Sequence, residues 1–285
     1  MKARKAMFAG SWYPGNPSEC EEDIKKFLKE GKADEYPERK FIGGIVPHAG
    51  WFFSGSIACN VIHQLLDEAP PDVMVIFGMH LRQDSPCFIM AEGAWETPFG
   101  ELEIETSLAS ELLKKFEFQI ETAEQFTQDN TIELQLPFVK YFFRDTKIVP
   151  IGVPPTENAL EIGKAVADIS ASMGMRLRVI GSTDLTHYGA NYGFSPKGRG
   201  PAAIEWARDE NDRKVIDAML AMDPSAVIRE GLANHNACCA GAAATAIASA
   251  RQLGAEQSES VAYASSYDKH PGDSFVGYVG IVFGK

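Results

Sequence analysis

Two histidines in this sequence each follow a short apolar run that is typical of a buried strand. His48 comes after residues 45–47 (IVP), and His80 comes after residues 75–79 (VIFGM). They lie 32 positions apart with a predicted helix between them, as in one βαβ unit, so both imidazoles could reach the same metal ion. The alternative is that each histidine makes a local hydrogen bond within its own turn.

An acid and a third histidine follow another apolar run. Residues 179–188 (VIGSTDLTHY) end a predicted strand in small polar residues and then present Asp184 and, three positions later, His187. A carboxylate and an imidazole in one turn can face one pocket, where they could bind a metal, act as a general base, or orient one another. The alternative role for Asp184 is to cap a short helical turn, and the two roles are compatible.

Two adjacent cysteines lie in a polar loop just before a helix of small residues. This segment is residues 234–241 (NHNACCAG), which contains Cys238 and Cys239. A helix N-terminus favours the thiolate, which is the form that binds metal ions. The alternative is that the cysteines are small core residues, and for one of the two we expect this to be so. We expect the other histidines (His63, His235 and His270) to have structural roles.

The elements that must position these groups alternate between strand and helix along the whole chain. The predicted strands are 41–46, 73–77, 148–153, 177–181 and 276–283, and the predicted helices are 18–29, 56–66, 108–116, 132–143, 158–173, 204–221 and 241–253. This alternation predicts an α/β fold, with a central, mostly parallel or mixed sheet flanked by helices. With no linker or repeat in the sequence, we expect one domain over residues 1–285.

Composition restricts the function further. The net charge is −12 and the sequence pI is about 5.0, which argues against binding to nucleic acid or to an anionic membrane. An odd number of irregularly spaced cysteines, five in all, predicts free thiols and a cytoplasmic location. The sequence lacks a membrane-spanning apolar run, a phosphate-binding glycine motif and a nucleophile-elbow serine, so nucleotide-driven and serine-hydrolase chemistry are disfavoured.

Several segments in order resemble the Memo family, which includes the proteins called AmmeMemoRadiSam system protein B. Besides the Cys238 loop, they are residues 9–14 (AGSWYP), 45–50 (IVPHAG), 92–100 (EGAWETPFG), 132–137 (IELQLP), 182–188 (STDLTHY) and 272–278 (GDSFVGY). Together they extend over nearly the whole chain. The resemblance implies a fold like that of the class III extradiol dioxygenases, with a metal pocket at one end of the sheet.

The resemblance also implies a set of site residues. The metal ligands would be His48, His80 and one cysteine, for which Cys238 is the better match than Cys239. Asp184 and His187 would line the same pocket as catalytic residues. Fe(II) is the metal that the related dioxygenases use, and Cu or Zn would also suit two imidazoles and a thiolate. The chain has Asn130 where the family often has histidine, and asparagine cannot transfer protons in its place.

Three functions follow from these residues. The first is a metal-dependent oxidoreductase of dioxygenase-like architecture, acting on an unidentified small molecule. The second is a binding or adaptor protein whose pocket recognises a peptide or a partner enzyme, for which the resemblance implies radical SAM and AMMECR1-type partners. The third is a cysteine hydrolase with Cys238 as nucleophile, His187 as base and Asp184 as the orienting acid.

Overall fold

The computed structural model describes residues 2–31 and 40–285. Its strands are β1 (Ala3–Arg4), β2 (Phe41–Val46), β3 (Val73–Gly78), β4 (Phe88–Met90), β5 (Ala94–Thr97), β6 (Gly100–Glu103), β7 (Gln119–Glu121), β8 (Lys147–Gly152), β9 (Leu177–Ser182), β10 (His187–Tyr188), β11 (Gln257–Ser265) and β12 (Phe275–Gly284). The predicted single domain over 1–285 includes residues 1 and 32–39, which lie outside the described residues, and it stays a prediction.

The helices lie between these strands. They are α1 (Pro17–Glu30), α2 (Trp51–Gln64), α3 (Thr106–Lys115), α4 (Asn130–Glu133), α5 (Leu136–Phe143), α6 (Glu157–Ser172), α7 (Pro201–Trp206), α8 (Asp212–Leu220), α9 (Pro224–Asn234), α10 (Ala240–Gln252) and α11 (Ser266–Lys269). A π-helical turn, Ala207–Asn211, joins α7 to α8, and a 3-10 turn, Ala190–Tyr192, follows β10.

Within the described ranges, nine strands form one mixed sheet in the order β10-β12-β2-β9-β3-β8-β4-β7, with β11 also paired to β12. The central strands β2, β9, β3 and β8 are parallel. On either side, β12 and β4 run antiparallel to the neighbouring central strand. A separate small sheet contains β1, β5 and β6. The predicted α/β class with a mostly parallel or mixed sheet is therefore confirmed.

Both faces of the central sheet are covered by helices, which explains why its strands are apolar on both faces. Alternate residues of β3 enter opposite cores: Val75 and Phe77 pack in the core that contains α6 and α10, whereas Met74 and Ile76 pack in the core that contains α1, α2 and α5. All six residues of β3 are buried. This period of two follows from the pleat of the strand.

Four helix predictions were wrong at their ends or in their continuity. The helix predicted over 56–66 is α2, which begins at Trp51 and ends at Gln64. The predicted helix over 132–143 is two helices, α4 and α5, because Pro137 lies in the first turn of α5 and cannot continue the preceding helix. The predicted helix over 204–221 is interrupted by the π-helical turn. The helix predicted over 18–29 is α1, which begins at Pro17 and has Asn16 as its N-cap, with the Asn16 side chain accepting from the Glu19 amide.

The state of the cysteines and the length of the helices bear on the predicted location. All five cysteines are free thiols, as predicted. Among residues 2–31 and 40–285, every helix is too short or too polar to span a bilayer. The cytoplasmic location stays a prediction.

Candidate metal centre

The loops after three central strands bring the predicted groups together at one edge of the sheet. His48 follows β2, His80 follows β3, and Asp184 follows β9. Strand β9 lies between β2 and β3, so the two histidines come from strands two positions apart, about 10 Å, and their side chains extend toward each other above β9. The ring centroids of His48 and His80 are 4.9 Å apart.

His48 is buried, and its hydrogen bonds determine which ring nitrogen faces the site. Its Nδ1 lies 3.1 Å from the Ser182 hydroxyl, which itself donates to the Thr131 carbonyl at 2.7 Å. Because the Ser182 proton is used on that carbonyl, Ser182 must accept from His48 Nδ1. The Nε2 atom of His48 therefore faces Cys238 Sγ, 3.2 Å away. Burial alone would lower the pKa of His48, but the nearby Asp184 and Cys238 charges outweigh it and raise the pKa.

His80 is more exposed and is oriented by a carboxylate. Its Nδ1 and its backbone amide both lie 3.1 Å from Asp129 Oδ2, and a carboxylate can only accept, so Nδ1 donates and Nε2 is left for the site. Burial opposes charge on His80, yet the hydrogen bonds to Asp129 and Cys238 raise its pKa to about 10. Asp129, despite its burial, has its pKa lowered to about 2 by the hydrogen bonds from His80 and Thr131.

The backbone before His80 is held in an unusual conformation. Met79 has a φ of 72°, in the left-handed region that longer side chains rarely adopt. The Thr131 hydroxyl accepts from the Met79 amide at 2.7 Å, and that hydroxyl also hydrogen bonds to Asp129. Helix α4 thereby fixes both the strained residue and the histidine after it.

The two cysteines reach the site from the start of α10. The amide of Cys238 donates to the Asp184 carbonyl at 3.1 Å, and the amide of Asp184 donates to Cys238 Sγ at 3.3 Å. Burial opposes ionisation of Cys238, but the hydrogen bond from Cys239 and the charge of His48 lower its pKa well below the usual value. Burial, followed by the charge on Cys238, raises the pKa of Cys239 well above its usual value.

Together these side chains form a group that could hold a metal ion. One donor atom from each of His48, His80, Cys238 and Cys239 lies within 4.8 Å of the others. The donor chemistry fits such an ion, because Nδ1 of each imidazole is engaged outside the group and a low-pKa thiolate lies between the two rings. A bound ion would displace any proton from the Nε2 atoms.

Asp184 and His187 lie beside this group. Asp184 is buried, and its Oδ1 accepts from the His48 amide at 2.7 Å while Oδ2 is 3.8 Å from His48 Nε2. Burial, partly offset by His48, raises the pKa of Asp184. His187 Nδ1 donates to the Leu185 carbonyl at 3.1 Å. His48 Nε2 lies within hydrogen-bond distance of the Cys238 thiol, at 3.2 Å. The hydrolase hypothesis, which gave the base position to His187, stays a prediction.

Two clefts meet at the group, and His80, His187 and Tyr192 line both. The Phe52 cleft has a volume of about 580 Å³ and is also lined by Trp12, Phe52, Phe53, Asn130, His48, Asp184, His270 and Tyr278. The Leu232 cleft has a volume of about 600 Å³ and is also lined by Arg82, Pro155, Phe194, Leu232, His235 and Cys238. Both volumes are in the range of small-molecule sites.

Sequence reasoning missed the partners that orient the histidines. Asp129 was not identified, although an acid directly before a helix is an N-cap signal, and Asp129 is indeed the N-cap of α4. Asn130 is the first residue of α4, and its side chain donates to the His48 carbonyl at 2.8 Å. Ser182 appeared only as part of a motif. Neither Asp129 nor Ser182 has a sequence signal that would reveal its contact with a histidine.

The remaining histidines lie outside the four-residue group. His63 is in α2 with its ring 5.2 Å from that of Phe142, and His235 is the left-handed residue that ends α9. His270 follows α11 and lines the Phe52 cleft. The structural roles expected for these three stay predictions, with His235 and His270 now placed on cleft walls.

Comparisons with known proteins agree with this architecture. A solved structure of an uncharacterized protein from Escherichia coli K12 superposes with a TM-score of 0.56, covering 86% of this chain and 100% of that chain, at 10% sequence identity. That likeness concerns the fold alone. Fold and site thus define an α/β protein of mixed sheet, with a His/Cys group where the central strands end.

Sequence comparison gives the family. A family model described as Memo-like protein matches residues 4–282. A MEMO1 family protein of Pyrococcus furiosus is 32% identical over 291 residues, covering 99% of each chain. Another, from Methanosarcina acetivorans, is 34% identical over 291 residues, again covering 99% of each. The chain belongs to the Memo-like family, which confirms the resemblance predicted from its motifs.

Proposed function

We propose that this protein binds a metal ion through His48, His80 and Cys238 and uses it to oxidise a small molecule held in the adjoining clefts. The observation that carries the proposal is the convergence of two imidazoles and a low-pKa thiolate on one point, with the donor atoms within 4.8 Å of one another. Ion pairs that serve only stability seldom combine two oriented imidazoles with a thiolate at the mouth of clefts.

Three protein ligands leave coordination positions open on iron or copper. Such an ion supplies the one-electron and oxygen chemistry that amino-acid side chains lack. Fe(II) is the favoured ion, because the related dioxygenases use it, and Cu or Zn would also accept this donor set. The Asp129 and Ser182 contacts support the assignment, since ligand histidines in metal sites usually donate their second N–H to such a partner.

Asp184 and His187 are the residues that hold and move protons. Burial raises the pKa of the Asp184 carboxyl, which lies beside the site, and Asp184 is the group that takes up and releases a proton there. His187 donates from Nδ1 to the Leu185 carbonyl, so Nε2 is the atom through which it can exchange a proton in the cleft. Both residues line the Phe52 cleft.

The wall of the Phe52 cleft indicates the kind of substrate. Trp12, Phe52, Phe53 and Tyr278 give it an aromatic surface, and Asn130 adds an amide. A substrate with an apolar body and one polar group directed toward His48 and Asp184 fits that surface.

Metal analysis tests the ligand assignment. Protein purified without added metal should contain about one ion per chain, and the double variant His48→Ala/His80→Ala should contain less than about a tenth of that amount, since three ligands become one. His63→Ala, which removes a histidine outside the group, should match the wild type. Equal metal in the double variant and the wild type would refute the proposal.

A second measurement tests whether coordination positions are open. Nitric oxide, a spectroscopic substitute for O₂, should bind the Fe(II)-loaded protein and give a high-spin electron paramagnetic resonance signal. A Fe(II)-loaded protein that gives no such signal would contradict the oxidoreductase proposal while leaving metal binding intact.

A second candidate function is the binding of a peptide or a partner enzyme at the same cleft, favoured by exposed aromatic residues on its wall. Trp12 is 42% exposed and Phe52 is 67% exposed. If radical SAM or AMMECR1-type proteins dock there, Trp12→Ala/Phe52→Ala should lose their binding in a pull-down with purified partners. Retention of both partners by the double variant would exclude this surface.

A further inference from the structure

Cys239 places a fourth donor atom at the metal centre. Its sulfur lies 3.8 Å from Cys238 Sγ and within the same 4.8 Å group as the donor nitrogens of His48 and His80. Cys239 occupies the N-cap position of α10, and its thiol points toward Cys238. The function proposed above uses only Cys238 of the two cysteines.

The separation of the two sulfurs matches a specific coordination geometry. In a tetrahedral zinc site with Zn–S bonds of about 2.3 Å, two sulfurs lie about 3.8 Å apart. The observed 3.8 Å between Cys238 and Cys239 equals that distance. Donor pairs as far apart as 4.8 Å would have to close to about 3.5 Å, which side-chain rotation can supply.

The backbone around the cysteines is anchored in a way that keeps both thiols at the site. The Cys239 amide donates to the Thr183 hydroxyl at 3.0 Å, and the Cys238 amide donates to the Asp184 carbonyl at 3.1 Å. Thr183 and Asp184 follow β9 directly, so the backbone amides of both cysteines are fixed to the end of that strand. Little backbone ordering is then required when the thiols bind an ion.

We propose that Cys239 is a fourth metal ligand, so that the centre also forms a closed His₂Cys₂ site that selects Zn²⁺. This inference rests on the proposed function, because it uses the same His48, His80 and Cys238. Tetrahedral sites with two sulfur and two nitrogen donors are typical of zinc. Four protein ligands complete that coordination sphere, whereas three leave a position for substrate. Cys239 therefore determines whether the centre is open or closed.

The opposing interpretation is that Cys239 is simply a core residue. It is 4% exposed and packs in the core that contains α10, as free cysteines often do. A cysteine that only packs in the core would contribute to folding stability, and its replacement would leave the affinity for metal unchanged. The two interpretations therefore predict different metal titrations.

The experiment compares wild type with Cys239→Ala and Cys239→Ser, the second of which preserves the side-chain volume. Competition titrations with a chelator measure Zn²⁺ affinity, and the Co²⁺-substituted proteins report thiolate coordination through the sulfur-to-cobalt absorption. Cys59→Ala, which removes a buried thiol in α2, is the matched control. Thermal unfolding of the metal-free proteins verifies that each variant is folded.

If Cys239 is a ligand, both variants should lose Zn²⁺ affinity on the order of 100-fold, since a lost ligand should cost at least as much as a lost outer-shell partner. Their sulfur-to-cobalt absorption should be about half that of the wild type, because one thiolate of two remains. Fe(II) affinity should change less than about threefold, since the open three-ligand site that holds Fe(II) does not use Cys239. Cys59→Ala should match the wild type in all three.

Two outcomes separate the failure of this inference from that of the proposed function. Unchanged zinc affinity and cobalt absorption in both Cys239 variants, with binding still abolished by His48→Ala/His80→Ala, would overturn the role of Cys239 and leave the three-ligand site standing. Wild-type protein that binds neither Zn²⁺ nor Fe(II) would overturn both.

Discussion

Two side chains outside the metal-binding group determine which nitrogen each candidate ligand presents. Ser182 and Asp129 accept the Nδ1 protons of His48 and His80, respectively, and this leaves both Nε2 atoms facing Cys238. Hydrogen bonds of this kind fix the orientation and the tautomer of a ligand histidine. The site is therefore preorganised by residues that would not themselves touch the ion.

Asp129→Asn isolates the charge behind His80. Asparagine is as good an N-cap as aspartate, so α4 should be preserved, but the negative charge that His80 Nδ1 faces is lost. We expect metal affinity to fall about 10- to 100-fold in a competition titration. Asp223→Asn, at the N-cap of α9, is the matched control and should bind as the wild type does. Equal affinities in both variants would show that Asp129 only caps its helix.

Asp184→Asn separates proton transfer from metal binding. Asparagine Oδ1 can still accept from the His48 amide, so the metal content should remain within about twofold of the wild type. The variant cannot hold a transferable proton, and oxygen consumption by the iron-loaded protein should fall about 100-fold, as expected for loss of a general acid. An oxygen electrode together with metal analysis measures both quantities. Undiminished oxygen consumption would remove Asp184 from the mechanism.

At the scale of elements, β9 and α10 together determine where the thiols lie. Strand β9 lies between the two histidine-bearing strands, and α10 packs directly over it. The close approach depends on Gly181, where an added Cβ would lie 2.8 Å from the Ala242 carbonyl oxygen and 3.0 Å from Ala243 Cα. Because these are backbone atoms of α10, the helix itself would have to move.

Gly181→Ala should accordingly destabilise the protein. We expect a loss of about 1–3 kcal/mol in the free energy of unfolding, the usual cost of overpacking a core, measured by urea denaturation. Gly272→Ala is the control, because an added Cβ there meets nothing within 4 Å, and its effect should stay within about 0.5 kcal/mol. If Gly181→Ala were as stable as Gly272→Ala, the tight contact between α10 and β9 would not limit the fold.

At the scale of the whole molecule, one buried carboxyl joins three separate parts of the chain. Asp212 in α8 accepts from the amide and hydroxyl of Thr186, just before β10, and from the hydroxyl of Tyr263 in β11. Burial outweighs these hydrogen bonds and raises the pKa of Asp212 to about 6. Its ionisation therefore costs folding free energy, which links global stability to pH.

Ionisation of Asp212 should make the folded protein less stable as the pH rises. Because the pKa of Asp212 is raised in the folded state, its protonated carboxyl stabilises the folded protein fully below the ordinary pKa of 3.8. This contribution is lost as the pH rises through about 6. Raising the pKa by that amount corresponds to about 3 kcal/mol. In Asp212→Asn the dependence should be absent, so the unfolding free energy of the wild type relative to the variant should fall by up to about 3 kcal/mol between pH 4 and 7. A difference in unfolding free energy between the wild type and the variant that stays constant from pH 4 to 7 would contradict the prediction.

The class of the fold and the ends of the strands that carry the site follow from the pattern of apolar and polar residues along the chain. Buried parallel strands are continuous apolar runs, and polar residues placed directly after them must lie at one edge of the sheet. For this reason the sequence assigns His48, His80 and Asp184 to a common region. Cys238 required the resemblance to the Memo family, because a cysteine at a helix start fits a core residue equally well.

Which side chains meet at the site depends on the three-dimensional packing of the elements. In the folded chain, β9 lies between the histidine-bearing strands, and the Cys239 thiol points toward Cys238. Asp129 contacts His80, and Ser182 contacts His48. These contacts depend on strand order and on side-chain direction in loops. Local sequence periodicity contains neither, because it records only which face of an element is buried and not what packs against that face.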